Sequence, residues 1–476
     1  MRIIRKIAVR QAKDIMSNTT DHNSEHATFL EAHPEIGLIE LLIADGNGIL
    51  RGKRITPDKL ASVYDEGILL PGSIFCLDTS GANVEGAGLV WSDGDADRVC
   101  HVVPGTLKPA PWHRKGMAQI LLTMHEEDGT PFFADPRHVL KGIIDRFSAM
   151  GLKPVTAVEL EFYLIDKERT PTGYPQPPVS PISGLRHASP GVYGIDELYD
   201  FDDFLDEVAS MAKAQGIPAD TMVAEYAPGQ YEVNLHHVDD PLLACDQAVL
   251  LKRLIKHVAQ RHGMEATFMA KPYTEESGNG THIHVSLLDE KENNIFQGKG
   301  TEDEDRLSDE IKWAMGGLCE TMAESMALLA PNANSYRRFQ LGSYAPHTPC
   351  WGINNRTVAL RIPAGHPAAT RIEHRLAGAD ASPHLVMSAV LAGMLHGLEN
   401  KIDPGPRVTG NAYKEKEATL PNIWPDAIDT FEKAEILPKY LGKEFCNVFS
   451  TCRKTERERF NSYISPVEFD WYLRTV

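Results

Sequence analysis

Cysteine is sparse and unpatterned in this chain of 476 residues: the seven, Cys76, Cys100, Cys245, Cys319, Cys350, Cys446 and Cys452, are scattered and nowhere spaced as CxxC. That argues against a disulfide framework or a structural zinc site and fits a reducing, cytoplasmic setting. Long apolar runs are missing too. A membrane span needs about 18 apolar residues, and the best stretch, His384 to Leu398, is broken by Gly393 and flanked by His. The basic N-terminus MRIIRKIAVRQAK has no signal-peptide core, because Arg5, Lys6 and Arg10 interrupt it, so residues 1–30 read as an extension. Positive charge is in deficit: 48 Lys plus Arg stand against 66 Asp plus Glu, a net charge of −18. Such a chain repels phosphate backbones and anionic membranes, so neither nucleic acid nor membrane is an expected partner, and an anion site requires a local basic cluster.

What is present is an ordinary globular composition, 42% hydrophobic and 24% charged, at a length that suggests about two or three domains. GLIELLIADGNGILRGKRI reads as two strands joined at Asp45-Gly46-Asn47-Gly48. Short strands continue to about Leu122, giving a small β-rich domain over residues 31–130. At Asp135-Pro136-Arg137 an amphipathic helix begins and runs to Gly151. Alternating strands and helices follow, which sets a larger domain over residues 131–476.

In AVELEFYL, strand alternation puts Glu159 and Glu161 on one face and Val158, Leu160 and Phe162 on the other. Alone, that face could simply be solvated. VAEYAPGQYEVN offers a second pair: a tight turn at Pro228-Gly229, folded symmetrically, sets Tyr226 opposite Tyr231 and Glu225 opposite Glu232. Opposed like charges weaken a hairpin, and a divalent cation would relieve them. In SGNGTHIHVSL the glycines Gly278 and Gly280 allow close backbone approach, and His282 and His284 share a strand side. Basic residues concentrate between Arg337 and Arg375, including Arg338, Arg356 and Arg361, and Arg371, Glu373 and Arg375 alternate on one face. Alone these suggest a surface ion-pair ladder; together with carboxylates they suit a transferring phosphoryl group. Glu159, Glu161, Glu225, Glu232, Glu373 and His282 would form an oxygen-rich cluster with one imidazole, suited to Mg²⁺ or Mn²⁺ rather than zinc.

In order along nearly the whole chain, VELEF, E-x6-E around APGQ, KPY followed by GxGxHxHxS, NSYRR, NNRxxxxRIP and RIExR resemble the glutamine synthetase family. RGKRI, LLTMHEEDG, ATFMAKPY, SMALLAPNANSYRRFQ and LVMSAVLAGMLHGLEN are similar to its γ-glutamylputrescine synthetase branch. The resemblance implies an α+β fold: an N-terminal β-grasp domain, and a catalytic domain whose curved antiparallel sheet is flanked by helices. It also implies a dodecamer of two hexameric rings with sites between subunits. By the same resemblance, ATP phosphorylates the γ-carboxylate of L-glutamate and an amine displaces phosphate, with two or three Mg²⁺ or Mn²⁺ ions bound. Carried over by motif, Glu161, Glu225 and Glu232 would hold one ion and Glu159, His282 and Glu373 another. His284, Ser286 and Arg361 would contact ATP, and Arg356 the phosphoryl group. Arg338, Arg375 and the Gly278/Gly280 loop would bind glutamate.

Three departures bear on the amine. Ser343-Tyr344-Ala345-Pro346 stands where the family has Tyr-Glu-Ala-Pro, so Tyr344 replaces the carboxylate that closes over ammonium. Ser277 replaces an Asn. The family's FDGSS has only a loose echo in Cys76-Leu77-Asp78-Thr79-Ser80, which makes Asp78 the candidate base. Putrescine or another polyamine is therefore the expected acceptor, and polyamine catabolism the expected setting. An ammonium-using glutamine synthetase and a catalytically silent relative are the alternatives. Tyr413, near where some bacterial glutamine synthetases carry an adenylylated Tyr, reads as an ordinary loop tyrosine.

Overall fold

The computed structural model describes residues 25–476 apart from 114, 115, 189, 301 and 302. The extension expected over residues 1–30 lies outside the described residues as far as residue 24; residues 25–32 are helical.

The first sheet holds β1 (Leu38–Ala44), β2 (Leu50–Ile55), β3 (Ile68–Pro71), β4 (Asp97–Val102), β5 (Lys108–Pro109) and β6 (Met117–His125). Its order is β2-β1-β6-β4-β3 with β5 on β6, and β1 runs parallel to β6. The β1–β2 hairpin forms as its turn chemistry dictates: Asp45 Oδ1 accepts from the backbone N–H of Asn47 and of Ile49, each at 2.9 Å. Ile39, Leu41 and Ile43 of β1 and Ile120 and Leu122 of β6 build its core, which is completed by Val448 and Cys452 from the helix Lys443–Asn461. A helix late in the sequence thus packs against the first sheet.

The helix Pro136–Ala149 starts where expected, with Asp135 accepting a hydrogen bond from Arg137 N–H and Pro136 in the first turn. The second sheet follows: β7 (Lys153–Asp166), β8 (Ala219–Ala224), β9 (Gln230–Leu235), β10 (Met264–Thr267), β11 (Thr281–Leu288), β12 (Trp351–Ile353), β13 (Leu360–Ile362) and β14 (Ile372–His374). Its order is β12-β13-β14-β11-β7-β9-β8, with β10 also on β7. All pairings are antiparallel except β12 with β13. Along β7 the expected alternation holds: Val158, Leu160 and Phe162 are fully buried in the main core, while Ala157, Glu159 and Glu161 are half-buried on the other face. Each such apolar side chain contributes about 1.5–3 kcal/mol by burial, so the register that buries them also fixes where the two carboxylates point.

Around Pro228-Gly229 the structure corrects the expected register. The turn itself forms, with Gln230 N–H donating to Ala227 C=O and Gly229 at φ 76°. Beyond it the strands slip by two residues: Ala224 pairs with Tyr231 and Val223 with Glu232, and Glu225 N–H donates to Gln230 C=O. Tyr226 and Ala227 are looped out. Glu232 therefore faces Val223 on one side and Glu161 of β7 on the other.

The helices Asp309–Leu329 and Pro383–Asn400 pack closely, and Pro383–Asn400 is buried along nearly its whole length. A Cβ at Gly397 would lie 2.0 Å from Trp313 O, and one at Gly317 would lie 2.2 Å from Gly393 O. Glycine is needed there for backbone to meet backbone. Among the described residues no helix is long and apolar enough to cross a membrane.

Candidate active site

Strand register assembles the site. His282 on β11 lies opposite Glu159, His284 opposite Glu373, Glu161 opposite Glu232, and Arg361 opposite Glu373. Ligand atoms of Glu159, His282 and Glu373 all fall within 4.8 Å of one another, and so do those of Glu161, Glu232 and His282. Glu225, at the end of β8, belongs to neither group but is coupled to them by charge.

The electrostatics divide these carboxyls in two. Burial opposes ionisation of Glu159, yet hydrogen bonds from His282 and His284 outweigh it and hold Glu159 far below the usual carboxylate range. Burial also opposes ionisation of Glu373, but His282, Arg375, His284 and Arg361 bring it down to about 2. Burial, with the charge of Glu161, pushes Glu225 up to about 7. Burial and the charges of Glu159, Glu161 and Glu225 push Glu232 up to about 9. The cluster holds more negative charge than its own cations balance. A donor set of carboxylate oxygens with one imidazole, short of positive charge, fits Mg²⁺ or Mn²⁺.

A cationic wall borders it. Arg375 is buried and paired with Glu373, whose other oxygen meets Arg361 Nη1 at 2.6 Å. Arg361 Nη2 also donates to Asn354 Oδ1. Arg338 is buried, donates to Leu376 C=O, and feels the charges of Glu161 and Asp380. The two glycines touch it: a Cβ at Gly278 would lie 2.5 Å from Arg338 Cγ, and one at Gly280 would lie 3.1 Å from Arg338 Nη2 and 3.2 Å from Glu161 Oε1. Gly280 N–H donates to Glu161 Oε2 at 2.7 Å. Arg356 stands exposed between β12 and β13, its charge reaching Glu225. On the other side of Glu159 opens a cavity of about 860 Å³, lined by His284, Ser286, Arg371, Asn234, His236 and His237. Arg371 Nε donates to His284 Nδ1 at 3.1 Å, and His284 Nε2 lies 2.8 Å from Glu159 Oε1, so the ring is held from both sides.

Several supporting residues escaped the sequence reading. Gln230 Nε2 donates to Gly278 C=O and to Asn279 Oδ1, while Asn279 Nδ2 donates to Met269 C=O, so the glycine segment is held on both flanks. Tyr163 OH donates to Ser277 C=O, and Asn234 Nδ2 to Glu232 Oε1. The available signal was period two: Tyr163 continues the Glu159/Glu161 face, and Asn234 lies two residues after Glu232. Tyr413 lies on the short helix Ala412–Glu415, half-buried against His347 and near the charges of Arg338 and Arg375, and burial raises its phenol. Tyr344 is exposed at φ 57° and neighbours Tyr413. Asp78 is not brought into this cluster within one chain. Its carboxylate takes hydrogen bonds from Arg459, Ser80 and Ala82, none of them a residue of the site.

Residues 133–472 match the family model described as glutamine synthetase, catalytic domain. The chain is 44% identical over 448 residues to the gamma-glutamylputrescine synthetase PuuA of Escherichia coli (strain K12), covering 94% of each. It is 32% identical to a glutamate–isopropylamine ligase of Pseudomonas sp, covering 94% of this chain and 97% of that one. Its fold superposes on the solved structure of GmaS without ligand with a TM-score of 0.80 at 29% identity, covering 94% of this chain and 99% of that one. With its sheet, its acid cluster and its arginines so arranged, this chain belongs to the glutamine synthetase family.

Proposed function

We propose that this protein joins the γ-carboxylate of L-glutamate to an amine, putrescine or another polyamine, with ATP converted to ADP and phosphate. The observation that carries the reading is the cluster of Glu159, Glu161, Glu232, His282 and Glu373 between a roomy cavity on one side and buried Arg338 and Arg375 on the other. The triphosphate is assigned to the cavity, whose wall carries Ser286 and His284, with Arg361 bordering the cluster through Glu373. Glutamate fits the opposite end, its carboxylate facing the Arg338 guanidinium and its backbone-like groups the Gly278–Gly280 segment. Glu159, His282 and Glu373, and Glu161, Glu232 and Glu225, would hold divalent ions, which supply charge neutralisation for the transferring phosphoryl group.

A γ-carboxylate oxygen attacks the γ-phosphorus, ADP leaves, and γ-glutamyl phosphate forms. The amine nitrogen then attacks its carbonyl carbon, phosphate leaves, and the nitrogen gives up a proton. Arg356, unpaired with any carboxylate among the described residues and exposed toward Glu225, is placed in our reading to neutralise the phosphoryl oxygens. Tyr344 would shield the acyl phosphate from water and offer an aromatic face to an alkyl amine. The proton-accepting role is assigned to Asp78 of an adjoining copy, in a ring assembly of two hexamers; residues 31–130 and 131–476 would be the two domains of each copy. A cytoplasmic location accords with the free cysteines.

The 44% identity to a putrescine enzyme supports the choice of amine. The test is phosphate release with ATP, Mg²⁺ and glutamate against ammonium, methylamine, putrescine, spermidine and ethanolamine. Putrescine or spermidine should give the highest kcat/KM; ammonium giving it would overturn the polyamine reading, and no glutamate-dependent release would overturn the enzyme reading.

A further inference from the structure

A second cavity, of about 610 Å³, shares no lining residue with the one beside Glu159. That volume suits a small organic ligand. It lies between the helix Pro241–Arg261 and the β1–β2 turn, and its wall is basic in a chain of net charge −18. The helix supplies Lys252, Arg253, Lys256 and His257, Arg453 adds a fifth basic group, and Asp380 is the one carboxylate on the wall among the described residues. Two of these cations are already neutralised. Arg253 is bonded to Glu40, and Arg453 lies 2.9 Å from Glu456 Oε2 while donating to Asn47 Oδ1. His257 stacks on Trp112, and burial with the charge of Arg253 lowers its pKa, so its ring is uncharged at neutral pH.

Lys252 and Lys256 remain. They stand one helical turn apart, so their side chains are neighbours. Both lie over the Phe268 ring, 5.3 and 5.6 Å from its centre, and Lys252 Nζ donates to Ala379 C=O at 2.7 Å. Among the described residues neither is ion-paired with a carboxylate. Burial, with the charge of Lys256, pushes the Lys252 ammonium down to about 7, although Asp380 works the other way. Asp380 is itself engaged, its Oδ2 accepting from Asn332 Nδ2 and Ser335 Oγ. Two adjacent ammoniums without a counter-charge, at the edge of a roomy cavity, are relieved by an anion between them.

The far wall of the cavity is the back of the segment that carries Arg338. Asn332 and Asn334 line it, and Asn334 bonds to both backbone groups of Lys271. Ser335, tied to Asp380, begins the turn Ser335–Arg338, and Arg338 feels the charge of Asp380. Met269, also on the wall, accepts through its C=O from Asn279 Nδ2, between Gly278 and Gly280.

We propose that this cavity is a second ligand site, which takes a small, doubly charged organic anion, a dicarboxylate or a phosphate ester, with its anionic group between Lys252 and Lys256. Its body lies against Leu50 and Met269. By filling the space behind Asn332, Asn334 and Asp380, the occupant firms the segment that presents Arg338 and so strengthens the binding of glutamate. This rests on the functional reading above only in naming glutamate as the partner of Arg338.

The experiment is titration calorimetry of succinate and of glycerol 3-phosphate into the assembled protein, with ADP, Mg²⁺ and glutamate present to fill the first site. The parent, Lys256→Gln and Lys252→Met are compared, with folding checked by thermal unfolding. At least one probe should bind the parent, and the tighter of the two identifies the anionic group. Each substitution should weaken that binding about tenfold or more. Lys256 is exposed, so Lys256→Gln decides alone where Lys252→Met folds poorly. In steady-state assays the bound probe should lower the glutamate KM of the parent about fivefold or more and leave that of the variants unmoved. No binding to the parent, as when an acidic segment of a second copy already fills the cavity, or equal binding to parent and variants would overturn the site. Binding that fails to lower the glutamate KM would overturn the coupling. A protein without glutamate-dependent activity would overturn the functional reading, while calorimetry still judges the anion site.

Discussion

Glu159 bridges both imidazoles of β11: its Oε2 lies 3.0 Å from His282 Nδ1 and its Oε1 2.8 Å from His284 Nε2. One carboxylate thus orients the imidazole at the centre of both acid groups and the imidazole that faces the large cavity. Replacing it by Gln keeps the shape and removes the charge. Glu159→Gln should lower kcat/KM for ATP by about a hundredfold or more, read by ADP release at saturating glutamate and amine. Activity within a factor of a few of the parent would mean that the acid cluster is not the catalytic centre.

Removal of divalent ions should make stability depend on pH. Glu225 and Glu232 bind a proton more tightly folded than unfolded, so their contribution is complete below their unfolded values and is lost as pH rises through about 7 for Glu225 and about 9 for Glu232. Thermal unfolding in chelator should therefore show Tm falling between about pH 5 and pH 9, and Mg²⁺ or Mn²⁺ should restore Tm most at the alkaline end. Equal Tm with and without ion across the range would contradict the site.

Glu373 is buried between Arg361 and Arg375. Glu373→Gln leaves the Arg375 charge buried and unpaired and should destabilise the metal-free protein by about 3 kcal/mol, measured by urea unfolding. Adding Arg375→Met should recover part of that loss, because the stranded charge goes with it. No recovery would point to packing rather than charge.

Gly278→Ala drives a methyl group against Arg338 Cγ and Ala270 C=O. The guanidinium must shift, and the KM for glutamate should rise by about tenfold or more, with the KM for ATP little changed. A matching rise for both substrates would indicate general disruption instead.

Tyr344→Glu places a carboxylate at an exposed position beside Tyr413. It should shift preference from alkyl diamine toward ammonium, with the ratio of the two kcat/KM values changing about tenfold. Competition assays with both amines present read that ratio directly. An unchanged ratio would remove Tyr344 from the amine site.

The sequence alone determined whatever depends on neighbours along the chain. Alternation in AVELEFYL and THIHVSL aims side chains by backbone geometry alone, so the shared faces of Glu159 with Glu161 and of His282 with His284 were legible. The Asp45 turn and the Asp135 cap were legible for the same reason: each is a side chain bonding to backbone within a few residues. What crosses between strands was not. The pairing of Glu232 with Glu161 depends on a two-residue slip after the Ala227–Gln230 turn, and a symmetric hairpin drawn from the sequence misses it, because the turn fixes only its own four residues while packing selects the register. Gln230, Asn279 and Tyr163 support the glycine segment through partners far along the chain, and Tyr413 comes under the charges of Arg338 and Arg375, both distant in sequence. Asp78 shows the same limit: its partner Arg459 lies 381 positions away, and nothing in the residues around Asp78 announces that pairing. Side-chain chemistry and local direction were fixed residue by residue; the charge that each carboxyl meets, and hence which are raised and which lowered, was decided only when the sheet closed around them.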